Sequence, residues 1–98
     1  MTAEKLKATE WVEDECGWNL THITELNLYG NKIVGEVKLL IEKRPVYCDR
    51  GHLMGKVFGL PSVDDADCFP RYYMSLEIAK KEMRDWLVWR LYKETDRR

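Results

Sequence analysis

The stretch that decides the fold is WNLTHITELNLYGNKIVGEVKLLIEK, residues 18–43. It places Gly30-Asn31 between two runs that are rich in apolar and β-branched residues. Glycine and asparagine both tolerate the positive φ angles that a tight two-residue hairpin turn requires. The sequence therefore predicts a long antiparallel hairpin that turns at Gly30 and Asn31.

Pairing the two strands outward from that turn places Leu28 opposite Ile33, Thr24 opposite Val37, and Leu20 opposite Ile41. These pairs share one face of the hairpin, and that face is mostly apolar. Side chains alternate with a period of two, so a slip of one residue would move all of them to the other face. The pattern predicts that this face covers the core. The opposite face is mixed and still includes Ile23, Val34 and Leu40.

A third strand is predicted in VYCDRGHLMGKVFG, residues 46–59, after the break at Pro45. The face that its side chains take stays open, because Val46 and Cys48 share one face while Leu53 and Val57 form the better apolar set further on. A bulge near Arg50-Gly51 would reconcile the two halves, and Gly55 would let a helix approach closely. Residues 60–74 are predicted to be a loop.

The last predicted element is a helix that begins at Leu76, with Ser75 as its N-cap, and runs to about Glu94 before a charged tail at 95–98. At about 100° per residue, one arc of this helix is apolar and should cover the sheet. Trp86 lies in that arc, whereas Trp89 and Tyr92 continue past its edge. The residues of the predicted core arc are Leu76, Ala79, Met83, Trp86, Leu87 and Leu91.

The whole chain of 98 residues, 1–98, is predicted to be one small α+β domain. A three-stranded antiparallel sheet, made of the long hairpin and the third strand, carries the C-terminal helix on one face. The N-terminal segment, residues 1–17, is compatible with a short helix. There is no apolar run of membrane-spanning length and no hydrophobic signal core, and three cysteines leave one unpaired. These features favour a cytoplasmic protein that is not in a membrane.

Exposed aromatic side chains are the sequence's best indication of function. Trp89 and Tyr92 are predicted either to be covered by the N-terminal segment, through Trp11, or to face a partner. Arg71 and Tyr72, in the loop before the helix, are a second candidate, since aromatics and arginine dominate interface energetics. We predict a small non-catalytic protein-interaction module of the adaptor or inhibitor type, which binds another protein or a second copy of itself.

Metal and catalytic sites are not favoured. Cys48 and His52, with Cys16 and Cys68, could supply zinc ligands, but they lack two close ligand pairs. Cys48 and His52 also form no recognisable nucleophile and base pair. The acidic stretch around Asp64 lacks the spacing of a calcium loop. We therefore predict no metal, no cofactor and no enzymatic activity.

The alternative function is nucleic-acid binding, through phosphate contacts from Arg50, His52, Lys56, Lys80 and Lys81. The predicted α-β-β-β-α order and the helix start SLEIAKKEM resemble double-stranded RNA-binding domains. That resemblance implies phosphate contacts from Ser75, Lys80 and Lys81. The net charge of -1, from 16 basic and 17 acidic residues, does not favour a broad basic face. The compact texture is also similar to that of small phage or prophage proteins.

Overall fold

The computed structural model describes residues 3–43, 53–60 and 71–93, and its architecture is α+β as the sequence predicts. The antiparallel sheet has five strands in the order β1-β2-β3-β4-β5, so the prediction of three strands was wrong. The two unforeseen strands are the edge strands, which are two and three residues long. The elements are α1 (Ala3–Ala8), β1 (Val12–Glu13), β2 (Gly17–Leu28), β3 (Asn31–Glu42), β4 (Leu53–Phe58), β5 (Arg71–Tyr73) and α2 (Leu76–Tyr92).

The long hairpin is formed by β2 and β3, each 12 residues long. Its turn is Tyr29-Gly30, with φ angles of 51° and 82°, and Asn31 is already paired with Leu28. The predicted turn was therefore wrong, and the register is displaced by two residues. A displacement of two residues keeps every side chain on its face, so the prediction of the core face is confirmed.

The core lies between this face of the sheet and α2. In β4, the side chains of Leu53 and Val57 pack against the core. This is the face that the sequence favours for this half of the third strand. A Cβ on Gly55 would lie 2.7 Å from Met83 Sδ, so this glycine does allow close approach of the helix. Val46, Cys48 and the proposed bulge lie outside the described residues. The fully buried large side chains are Leu6, Leu20, Leu39, Ile41, Met83, Leu87 and Val37.

Helix α2 begins where the sequence predicts, after Ser75 in an extended conformation. It ends at Tyr92, because Lys93 adopts a left-handed conformation and donates its N–H to the carbonyl of Trp89 at 2.8 Å. Trp86 is half-buried and packs against the core. Val88, which lies outside the predicted core arc, is also buried, and α1 packs against α2. The buried surface of α2 is therefore wider than the sheet alone requires.

The N-terminal segment docks through α1 and the side chain of Arg84. Arg84 Nη1 donates to the carbonyl of Lys7 at 2.9 Å, and its Nη2 donates to the carbonyl of Thr9. The last carbonyls of a helix have no partner within the helix, and a cation stabilises that end of the helix dipole. Burial lowers the pKa of the Arg84 guanidinium, but arginine stays protonated at physiological pH. Arg84 thus fastens the C-terminal end of α1 to α2.

Neither described helix combines the length and the apolar composition that crossing a bilayer would require.

Candidate interaction surfaces

The most exposed apolar surface of the sheet is the face turned away from α2, which we call the outer face. Side chains alternate along each strand, so residues paired with outer-face residues also belong to it. Ile23 and Val34 were predicted to lie uncovered there, and they are 53% and 65% exposed. Leu40 is half-buried. The exposed apolar side chains of the outer face are Val12, Ile23, Val34, Phe58 and Tyr72.

Charges of both signs surround these apolar side chains. The registers place three lysines and three glutamates on the outer face, so these six charges sum to zero. Lys56 Nζ contacts Glu42 Oε1 at 2.6 Å across β3 and β4. Within the described part of the chain, Glu36 and Lys38 have no ion-pair partner. The six charged residues are Glu25, Lys32, Glu36, Lys38, Glu42 and Lys56.

Trp89 lies on the opposite side of the molecule, on the surface of α2 that faces away from the sheet. It is 47% exposed, and Lys93 Nζ sits 4.7 Å from its ring centroid. Ile78 is exposed on the same helix. The alternative in which Trp11 and the N-terminal segment cover Trp89 does not describe this structure, since Trp11 packs half-buried against the core.

Tyr92 turns inward, unlike Trp89. Its hydroxyl lies 2.6 Å from His22 Nε2 and 3.0 Å from Thr24 Oγ1, in the core layer between α2 and the sheet. Burial lowers the pKa of His22, and the positive charges of the N-terminus and of Lys5 lower it further. The sequence held a signal for this cluster that was missed. His22 and Thr24 are polar residues on the core face, so they need buried hydrogen-bond partners. Tyr92, at the edge of the apolar arc of the facing helix, carries a hydroxyl that could supply one.

Arg71 and Tyr72 both lie on β5 and are exposed. Tyr72 belongs to the outer face, because its strand neighbour Tyr73 is buried in the core. Burial raises the pKa of the Tyr73 hydroxyl, and the positive charge of Arg71 opposes that shift. The four predicted partner-binding residues therefore do not form one surface. Tyr72 lies on the sheet side, Trp89 lies on the helix side, and Tyr92 is engaged in the interior.

The predicted phosphate contacts are also separated. Lys56 is on the outer face and pairs with Glu42, whereas Lys80 and Lys81 are on α2, on the other side of the sheet. Lys81 Nζ contacts Asp85 Oδ2 at 2.6 Å. Arg50 and His52 lie outside the described residues. No single basic surface joins the described members of this set.

A groove of about 390 Å³ runs beside α1 and α2. Its lining mixes basic residues with the carboxylates of Glu77 and Asp85, so it offers no consistent charge to an ion. Arg84, at its floor, is already committed to the carbonyls of α1. The lining residues are Lys7, Trp11, Glu77, Lys80, Lys81, Arg84 and Asp85.

Metal-ligating side chains do not converge in the described ranges. Among residues 3–43, 53–60 and 71–93, no three histidine, cysteine or carboxylate side chains are placed to share an ion. Cys16 is an exposed thiol. Cys48, His52, Cys68 and the acidic stretch around Asp64 lie outside the described residues, so the zinc and calcium alternatives are not tested by this geometry.

Comparison with known proteins gives no family for this chain. No protein-family model matches it, and neither the curated proteins nor the solved structures yielded a match.

Proposed function

We propose that this protein is a small non-catalytic protein-interaction module that binds through the outer face of its sheet. The observation that carries the proposal is the exposure of five apolar side chains on a face that α2 leaves uncovered. Contiguous apolar surface rimmed by polar groups is typical of protein-binding sites. The aromatic rings of Phe58 and Tyr72, which are 49% and 53% exposed, would supply much of the buried area.

Charge on the outer face supports a protein partner over a nucleic acid. A surface that contacts phosphates gains its affinity from excess positive charge. Here three glutamates stand among three lysines, and Lys80 and Lys81 lie on α2, on the other side of the sheet. A surface that mixes apolar side chains with charges of both signs is closer in composition to a protein–protein interface than to a phosphate-binding surface.

A pair of matched variants tests the proposal. Ile23→Ser/Val34→Ser removes apolar surface from the outer face, while Ile78→Ser removes a similar side chain from the exposed side of α2. All three positions are about half exposed or more, so folding should persist in both variants. The wild type and each variant are immobilised and exposed either to an extract of the cells that express the protein or to added copies of the chain. We then quantify the protein that each one retains.

We expect the wild type and Ile78→Ser to retain the same protein, and Ile23→Ser/Val34→Ser to lose it by about tenfold or more. Retention that is equal for all three proteins would refute binding through the outer face. Retention of RNA or DNA that falls steeply with added salt would instead favour the nucleic-acid alternative.

A further inference from the structure

The outer-face residues of β3 form a pattern that is complementary to its own reverse. In chain order they are Lys32, Val34, Glu36, Lys38, Leu40 and Glu42. Read backwards, each lysine position meets a glutamate, each glutamate meets a lysine, and each apolar residue meets another apolar residue. The centre of this pattern is Val37, whose own side chain points to the core.

This order allows two copies of the outer face to contact each other with opposite charges paired. Suppose two sheets stack with their outer faces together, about a two-fold axis that lies midway between them, runs perpendicular to β3 and passes above Val37. The axis reverses the strand direction, so Glu36 of one copy faces Lys38 of the other. Val34 then faces Leu40, and Lys32 faces Glu42. A two-fold contact uses the same patch on both copies, so the patch must complement itself.

We propose that the partner of the outer face is a second copy of this chain, bound about this two-fold axis. The inference rests on the proposed function and names its partner. The central pair, Glu36 and Lys38, lacks an ion-pair partner among the described residues of its own chain, so both side chains are available to the second copy. Glu42 contacts Lys56 within its own chain and would add the second copy's Lys32.

The position of β3 suits such a contact. It is the third of five strands, so an axis above its middle also lies near the middle of the outer face. Stacked sheets lie about 10 Å apart, a gap that glutamate and lysine side chains can span together. Aligned sheets cross at about 30°, which displaces residues far from the axis more than those near it. Glu36 and Lys38 are nearest to the axis and keep their alignment best.

The size of the face sets the expected strength. Strands β2 and β3 have 12 residues each and β4 has 6, so at about 3.3 Å per residue and about 4.8 Å between strands they give a footprint of about 500 Å² per copy. Stable interfaces bury about 800 Å² per partner, and weaker reversible ones bury less. The dimer should therefore be reversible and depend on protein concentration.

Charge reversal at the two central positions tests the axis. Position 36 of each copy faces position 38 of the other, so the dimer contains this contact twice. In Glu36→Lys both contacts join two lysines, and in Lys38→Glu both join two glutamates. Each variant alone should weaken the dimer by about tenfold or more. A mixture of the two should dimerise again, because every central contact between unlike copies then joins opposite charges. Glu82→Lys, on α2, makes the same charge change away from the outer face and should dimerise like the wild type.

Sedimentation equilibrium across a wide concentration range gives the dissociation constants, and circular dichroism checks folding. The double variant Glu36→Lys/Lys38→Glu restores complementarity within one chain and guards against misfolded single variants. A wild type that stays monomeric at all concentrations would overturn the dimer. So would a dimer that both single variants leave intact, or a mixture that does not recover.

The dimer and the proposed function can fail separately. A monomeric wild type that still retains another protein, and loses it in Ile23→Ser/Val34→Ser, overturns the dimer alone. A wild type with neither self-association nor face-dependent retention overturns both.

Discussion

Arg84 connects α1 to α2 through hydrogen bonds to main-chain carbonyls. Helix α1 has only six residues, which is too short to be stable by itself in water. Its burial of Leu6 and the two bonds from Arg84 to main-chain carbonyls are what keep it folded against α2. Removing the guanidinium would leave those carbonyls without their charged donor.

We expect Arg84→Ala to lower the free energy of unfolding by about 1.5–3 kcal/mol, the range for hydrogen bonds that involve a charged group. It should also release α1, so trypsin should cleave after Lys5 and Lys7 earlier than in the wild type. Lys80→Ala is the matched control, since Lys80 lines the same groove. Equal cleavage rates in the two variants would argue against a fastening role for Arg84.

His22 makes the stability depend on pH, through the cluster with Tyr92 and Thr24. Its pKa in the folded protein lies below the ordinary value of 6.5. Between that folded pKa and 6.5 the unfolded chain binds a proton that the folded protein does not bind. Stability is therefore fully present above pH 6.5 and falls as the pH is lowered through this window.

We expect urea unfolding to give a lower free energy at pH 5.5 than at pH 7.5, and His22→Gln to show a smaller difference between the two pH values. The same pH slope in both proteins would contradict the assignment to His22.

The turn of the hairpin places Tyr29 in a backbone conformation that is unfavourable for tyrosine. Tyr29 has a φ of 51° and is 95% exposed, so its backbone is strained while its ring packs against little. Left-handed backbone costs most L-residues about 1–2 kcal/mol, and asparagine accepts it more readily. Asn-Gly is the pair preferred in turns with positive φ at both central positions.

We expect Tyr29→Asn to raise the free energy of unfolding by up to about 1 kcal/mol. Gly30→Ala should lower it, because alanine would have to adopt the φ of 82° found at that position. Thermal unfolding of the two variants beside the wild type measures both effects. Destabilisation by Tyr29→Asn would show that the tyrosine ring contributes contacts that outweigh the strain.

The sequence is informative about faces and less so about registers. Alternation of apolar residues assigns Leu20, Leu39 and Ile41 to the core, whichever of two registers is chosen, because a displacement of two residues preserves the face. Choosing between them depended on which residue of the turn accepts positive φ. Asn31 was the better candidate by preference, and Tyr29 occupies the position instead.

The alternation of apolar and polar residues could not predict the shortest strands. Strands β1 and β5 have two and three residues, too few for alternation to be recognised. Helix α1 packs against α2, and this contact between distant parts of the chain is not contained in the helical periodicity that left Val88 out of the predicted core arc. The same limit applies to the candidate site, since the separation of Tyr72 from Trp89 follows from the packing of α2 on the sheet.

The proposed self-association through the outer face would make the stability of the protein depend on its concentration. A dimer that forms only from folded chains gains about 0.7 kcal/mol per chain for each tenfold increase in concentration, which is about 3–5 °C in Tm. We expect scanning calorimetry to show this rise for the wild type and not for Glu36→Lys. A Tm that is independent of concentration in the wild type would contradict the coupling. Trp89→Ser should retain the rise, since Trp89 lies on the other side of the molecule.

The packing of α2 on one side of the sheet also limits how far association through the sheet can proceed. A sheet with both faces uncovered could add copies on each side and grow into a stack. Here one face is filled by the helix, so each chain has a single sheet face to offer, and a contact about a two-fold axis occupies it on both copies. Stacking through the outer face therefore stops at two chains, because α2 covers the other face of each sheet.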